Sequence, residues 1–251
     1  STGGGVSSGS GQAGGGGTGG NTTIISDPLC PTCPEFTEDN PCYQLKILLN
    51  ETNKQAIENL ETYTGDDKEW GYSFKTFPGS TNLTPPSVIQ ADDSDPNKIN
   101  MSACTGGDYV GAFHTHPIPS AQGIVPMFSG PDFKWLYDVT RKHAIPHSEK
   151  KYSTYFLTLT VQSGTYAIKI KDKNKFANFY GKYAEFEEKL HDKYEDMNGS
   201  QRDENELMIA LLGELTNSGI GLYELNDDKT NWSEVTLNPY SNVTPKKTPC
   251  N

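Results

Sequence analysis

Two histidines one residue apart, His114 and His116, are followed by a serine and an aspartate three apart, Ser129 and Asp132. Of all the side chains in this sequence, these four are best arranged to do chemistry together. On a β-strand, positions i and i+2 point to one face, so His114 and His116 would present two imidazoles side by side. Pro117 withdraws a backbone donor and ends such a strand just past the second histidine. Gly130-Pro131 opens a helix, which puts Ser129 and Asp132 near one face of its first turn. Two imidazoles and a carboxylate can hold a zinc ion and leave a fourth tetrahedral position for water, as in catalytic rather than structural sites. Zinc there would lower the water's pKa towards ~7 and polarise a carbonyl. A base must still take a proton and a donor must hold a developing oxyanion, and Ser129 is placed for the second task.

Taken singly, each residue has a plainer explanation. A histidine at a strand end is commonly just hydrogen-bonded, Ser129 reads as an N-cap, and Asp132 as a favourable charge in a first helical turn. The four in this order, in a strand-then-helix context, favour the metal site.

The run His114-Thr115-His116-Pro117 with Ser129-Gly130-Pro131-Asp132 resembles the His-x-His-Pro … Ser-x-x-Asp signature of the JAMM/MPN+ metalloproteases. That family adds a glutamate on an earlier strand, closely followed by glycine, and Glu69-Trp70-Gly71 is similar in place and character. The resemblance covers residues 43–172. It implies an α/β (α+β) fold of the MPN/JAMM type, cytidine deaminase-like, with a central mixed sheet flanked by helices. It also implies that His114, His116 and Asp132 bind Zn2+, that Glu69 is the general acid/base, and that Ser129 stabilises the oxyanion. Peptide or isopeptide hydrolysis is the implied activity. In one respect the sequence departs from the family: the stretch between His116 and Ser129 is longer than usual, which expects a longer loop within 118–127. Glu58 and Glu61 are nearby alternatives for the base, but they fall on the polar face of a helix, whereas a strand fixes Glu69.

The elements that must position these residues are legible in outline. Asn40-Pro41 reads as an N-cap and first helical residue, with apolar positions from Leu45 to Tyr63 at helical spacing and an end near Thr64-Gly65. Residues 70–77 alternate as a strand. Residues 78–107 form a long loop with a short strand at 87–90, and long ordered loops tend to be functional. Residues 108–115 are a buried strand ending in His114. Residues 155–162 and 165–171 form a hairpin about Ser163-Gly164. A helix over 174–196 carries an aromatic stripe (Phe176, Phe179, Tyr180, Tyr183, Phe186, then Leu190) that reads as core packing. A shorter helix spans 204–215. Residues 226–251 read as an extended tail with one strand at 234–237. The domain reading is a flexible Gly/Ser-rich linker at 1–29, the metallopeptidase core at 30–172, and a C-terminal helical extension and tail packed on that core at 173–251. The linker's composition cannot offset the entropy of ordering, and expects a further module upstream.

Composition removes some classes of function. The net charge is −11 and the sequence pI about 4.9, which argues against a nucleic-acid partner. The densest basic run, 169–175, alternates with Asp172 and apolar residues and reads as the wet face of a strand. No apolar run is long enough to span a membrane. Cys30, Cys33, Cys42, Cys104 and Cys250 read as disulfides that staple the two ends of an extracytoplasmic domain, in preference to a Cys-x-x-Cys metal knuckle. Their connectivity stays open. His143, His147 and His191 read as surface or packing residues, and Asp92, Asp93 and Asp95 as a solvated loop.

Three functions compete. The first is a zinc metallopeptidase or isopeptidase with a peptide or protein substrate, at the surface of a bacterial cell or secreted from it. The second is a non-catalytic MPN-like binding or assembly module, against which stands the complete set of five residues. The third, a deaminase-like zinc hydrolase, expects His-x-Glu and a later Pro-Cys-x-x-Cys. Here Thr115-His116 follows the first histidine and the Cys-x-x-Cys precedes it, so this reading is set aside.

Overall fold

Asn40 accepts from the Cys42 N–H and starts α1 (Pro41–Ile47), with Pro41 at the first helical position. The helix predicted to run on to residue 64 is two helices. Asn50 accepts from the Asn53 N–H and starts α2 (Glu51–Glu61). A short amide side chain competes for backbone groups, so an asparagine inside an apolar period can restart a helix instead of extending it. The structure, a computed structural model, describes residues 40–76, 82–92, 95, 98–104, 108–116, 125–144, 152–197 and 203–250.

The remaining elements are β1 (Gly71–Lys75), β2 (Ser87–Val88), β3 (Tyr109–Thr115), α3 (Gly130–Ala144), β4 (Phe156–Val161), β5 (Gly164–Ile170), α4 (Lys173–Tyr180), α5 (Tyr183–Asp196), α6 (Glu204–Glu214), β6 (Ile220–Leu225), β7 (Trp232–Asn238) and β8 (Ser241–Pro249). The described residues form the expected mixed α and β class: six α-helices and one eight-stranded sheet of order β2-β1-β3-β4-β5-β6-β7-β8. Only β3 and β4 are parallel, with His114 opposite Leu159. Their connection runs through α3, the crossover that parallel neighbours require. The hairpin β4–β5 closes on Gln162 and Ser163, with Val161 opposite Gly164, one residue earlier than expected.

Two C-terminal features differ from expectation. The helix predicted over 174–196 breaks at Gly181-Lys182 into α4 and α5, at the residue with the weakest helix propensity in the run. The stretch predicted as a tail supplies β7 and β8, and β6 precedes them, all paired into the one sheet. Strand β8 contains Pro245 and Pro249 and lies at the sheet's edge, where a missing N–H donor is tolerated.

Ala56, Ile57 and Leu60 of α2 are buried where that helix meets β3 and β4, close to a cluster of Phe74, Phe113 and Phe156. From the predicted aromatic stripe, Phe176, Phe186 and Leu190 are buried in the core as expected. α3 packs on α5, and α5 on α6. His191 is exposed and 3.3 Å from Glu195. His147 and the side chain of His143 fall outside the described residues, as does Asp93, while Asp95 pairs with Lys98.

One end of the basic run is not wet. Lys169 on β5 is 1 % exposed, its Nζ donates to the Ser153 carbonyl, and burial brings its pKa down to about 7. Between that value and the ordinary 10.5, the unfolded chain holds a proton that the folded one does not, so stability rises with pH across this window. Below it the full penalty of a buried ammonium persists. Lys169→Met is therefore expected to raise stability at pH 7 by a few kcal/mol, roughly, and to flatten its rise towards pH 10 in urea titrations. A loss of stability at pH 7 would refute this.

Cys42 and Cys250 form a disulfide across 208 residues, tying α1 to the end of β8 as the end-to-end staple predicted, while Cys104 is free and buried. Cys30 and Cys33 lie outside the described residues. Closing so long a loop restricts the unfolded chain strongly, so Cys42→Ser/Cys250→Ser should cost about 2–5 kcal/mol. Denaturant midpoints with and without reductant check this, and reductant should not shift the midpoint of the double variant.

Candidate metal centre

Strand β3 carries His114 near its C-terminal end, and His116 follows one residue beyond it. Both imidazoles are almost fully buried. Each Nδ1 lies 2.7 Å from a backbone carbonyl, Thr158 O for His114 and Val125 O for His116. A carbonyl only accepts, so each Nδ1 carries the hydrogen and each Nε2 presents a lone pair. The two Nε2 atoms converge to 3.3 Å. Ring orientation and tautomer are thus fixed by the second partner, as in most metal-bound histidines.

Asp132 enters from the first turn of α3. Its Oδ1 is 3.1 Å from His114 Nε2, and its Oδ2 is 3.6 Å from His116 Nε2. Ser129, just before α3, donates to Asp132 Oδ2 from its backbone N–H at 2.8 Å and from Oγ at 2.9 Å. The reach of the third helical residue back to the cap N–H is half of a capping box. It also leaves Oδ1 free to turn towards the histidines. Bonds of about 2.0–2.2 Å to a tetrahedral ion place donors roughly 3.3–3.5 Å apart. The 3.3 Å between the two Nε2 atoms and the 3.1 Å from His114 Nε2 to Oδ1 are close to that figure, while the 3.6 Å approach to His116 is made by the other oxygen, Oδ2. His114, His116 and Asp132 form a buried group able to bind a metal ion.

Glu69 precedes β1 and is brought to the same place. Trp70, its neighbour, bonds through both N–H and C=O to Thr115, the residue between the histidines, at 2.9 Å each. Gly71 pairs with His114. A Cβ at Gly71 would lie 2.8 Å from Ile99 Cδ1 and 3.0 Å from Phe113 O, so a larger residue there would push on the 98–100 segment where it covers this strand. From that segment the Ile99 N–H donates to Glu69 Oε2 at 3.2 Å, while Oε1 stands 4.0 Å from His116 Nε2. The long loop thus contributes a contact to the site. Glu58 is exposed, and Glu61 pairs with Lys229 at 3.1 Å, so neither rival carboxylate joins the cluster.

Burial pushes the Glu69 carboxyl above its ordinary pKa, with His116 and His114 opposing and Asp132 adding to the rise. Burial alone would depress His114, but the Asp132 carboxylate reverses that and raises it. For Asp132, burial works against ionisation and the two histidines overcome it, holding its pKa well below the usual carboxylate range. The shifts of His114 and Asp132 thus run in opposite directions, each raised or lowered by the charge of the other.

All five residues singled out in the sequence come together. Pro117 and residues 118–124 of the lengthened loop lie outside the described residues, although Val125 at its end holds His116. Sequence reasoning missed Ile99, Thr158 and Val125, which act through backbone atoms and carry no side-chain signal. It also missed the two tyrosines of α5 treated below. The chain matches no protein-family model, no curated protein and no solved structure.

Two outcomes follow for metal binding. Wild type should retain about one divalent ion per chain, and His114→Ala/His116→Ala none, by elemental analysis. Since an imidazole binds a cation only when its Nε2 is unprotonated, and the Asp132 carboxylate raises the His114 pKa, affinity should fall with decreasing pH. Affinity independent of pH between 5 and 8 would contradict the protonation scheme.

Proposed function

We propose that the chain is a zinc-dependent hydrolase of peptide or isopeptide bonds, of the JAMM/MPN+ type that its motifs resemble. The observation that carries this reading is the convergence of two imidazole Nε2 atoms and one carboxylate at tetrahedral spacing, with a second, proton-accepting carboxylate beside them. His114, His116 and Asp132 would hold the ion. Zinc, when bound, would acidify water and polarise the scissile carbonyl.

Glu69 is the base. Its raised pKa suits it to accept a proton from water and pass it to the leaving amine. The Ile99 N–H holds Oε2 and leaves Oε1 facing the histidines. Ser129 has one hydroxyl proton, given to Asp132 in the resting arrangement. Rotation of that hydroxyl would deliver the proton to a developing oxyanion, while the Ser129 N–H keeps hold of Asp132 Oδ2.

The β3–α3–β4 crossover within a mixed sheet, with its ligands at the strand's C-terminal end, supports an MPN-like fold. The Cys42–Cys250 disulfide supports placement outside a reducing cytoplasm, in keeping with a secreted or surface protein. Among the described residues no helix is long and apolar enough to cross a membrane.

Glu69→Gln is expected to keep stoichiometric zinc and to lose at least a hundredfold, roughly, in turnover of a peptide or isopeptide substrate. Metal content and single-turnover hydrolysis read the two halves separately. Undiminished hydrolysis in this variant would remove Glu69 from the mechanism.

A further inference from the structure

Helix α5 sits beside the centre although it belongs to no part of the metal-site motif. Tyr183, Glu187, Leu190 and Tyr194 recur at i, i+4, i+7 and i+11, which is one helical face. The Tyr183 hydroxyl donates to Gly130 O at 2.7 Å, and the Tyr194 hydroxyl donates to Phe128 O at 3.0 Å. These are the carbonyls immediately after and before Ser129. Between the two tyrosines, Glu187 lies so close to Gly130 that a Cβ there would meet its Cγ and Oε1 at 2.8 Å. Tyr194 is 4 % exposed and Leu190 1 %.

We infer that Tyr183 and Tyr194 are positioning residues for the metal centre, clamping the backbone on both sides of Ser129 so that Ser129 aims the Asp132 carboxylate at the histidines. The inference rests on the metal-site reading above and deepens it. Both donors of Ser129 end on one oxygen, Asp132 Oδ2. The position of Ser129 therefore decides where Oδ1 points, and Oδ1 is the atom 3.1 Å from His114 Nε2. The histidines are held independently, by Thr158 and Val125. Asp132 is the ligand whose aim depends on a loop-to-helix junction, and α5 is the rigid element that braces the junction. Phe128 O precedes the helix, so no helical N–H accounts for it, and Tyr194 satisfies a carbonyl at a buried position. Supporting a ligand from a packed helix holds it more closely than a free loop would.

Removing a hydroxyl while keeping the ring isolates this role. Tyr183→Phe, Tyr194→Phe and the double variant would be compared with wild type by titrating the metal-free, disulfide-intact chain with Co2+ and recording the visible d–d bands. Tyr223→Phe serves as control: its row of the sheet, Phe113–Thr158–Ala167–Tyr223, puts that buried side chain on the face opposite His114. Wild type and Tyr223→Phe should bind Co2+ alike. The double variant should bind about tenfold more weakly or worse, with displaced bands, while its metal-free melting temperature stays close to that of the control. If the double variant does not fold, the single variants carry the same comparison, each expected to lose threefold or more, roughly. A double variant matching wild type in affinity and spectrum overturns the positioning role and leaves the metal site standing. A wild type that develops no Co2+ bands overturns the metal-site reading, and this inference with it.

Discussion

The parallel pairing of β3 with β4 is the constraint on which the centre depends. Every other adjacent pair in the sheet is antiparallel, an arrangement that does not itself require a crossover. This one pair forces the chain to leave the C-terminal end of β3 and travel back along the sheet as α3. The start of α3 must then lie beside the end of β3. That geometry brings histidines at the end of the strand and a carboxylate in the first turn of the helix into one neighbourhood. The same pairing sets His114 opposite Leu159, close enough for the Thr158 carbonyl to accept a hydrogen bond from its Nδ1–H. One backbone arrangement thus brings the ligands together and selects the tautomer that makes an imidazole a ligand.

Each donor is held by a different part of the fold. His114 is tied to β4 and His116 to the end of the loop before α3, while Asp132 is tied to Ser129 and through it to the junction that α5 braces. Glu69 is tied to the 98–100 segment, and its neighbour Trp70 to Thr115. Four separate anchors meeting at one point mean that the donors are set before any ligand arrives. Little ordering entropy then remains to be lost on binding. This also explains why a chain rich in loops can hold a precise site: each loop residue that touches it does so through a backbone hydrogen bond to one of its side chains.

What was legible in the sequence was what local rules decide. Period-two spacing puts His114 and His116 on one face, and the first helical turn puts Ser129 with Asp132, while Glu69 was found through the family resemblance. What was not legible depends on which of two competing local rules wins, or on partners far along the chain. Asn50 and Gly181 split helices whose apolar period runs through the break. β8 is polar, largely exposed and contains prolines, so it reads as tail, yet pairing with β7 makes it an edge strand. Lys169 alternates like its wet neighbours, and only the Ser153 carbonyl and the packing over β5 bury it. The α5 stripe was legible as packing because its apolar period is strong. That two of its tyrosines also bond backbone carbonyls could not be read, since a hydroxyl at a core position looks the same whether its partner is a carbonyl or water.

The balance of charge in the site argues for the kind of ion it is built to take. The two histidines hold the Asp132 pKa low, each imidazole turns its Nε2 inward, and Glu69 stands beside them as a second carboxylate. Two carboxylates and two neutral imidazoles around a dication sum to zero, and a buried cluster that sums to zero avoids most of the cost of burying charge. A monovalent ion would leave one negative charge uncompensated in the interior, and a trivalent ion one positive charge. Protons balance the same carboxylates otherwise, which is why His114 carries a raised pKa while Asp132 carries a lowered one. Nitrogen donors favour borderline-soft ions over calcium or magnesium, which take oxygen. Among dications, the close spacing of the donors suits ions that accept four ligands better than ions that need six.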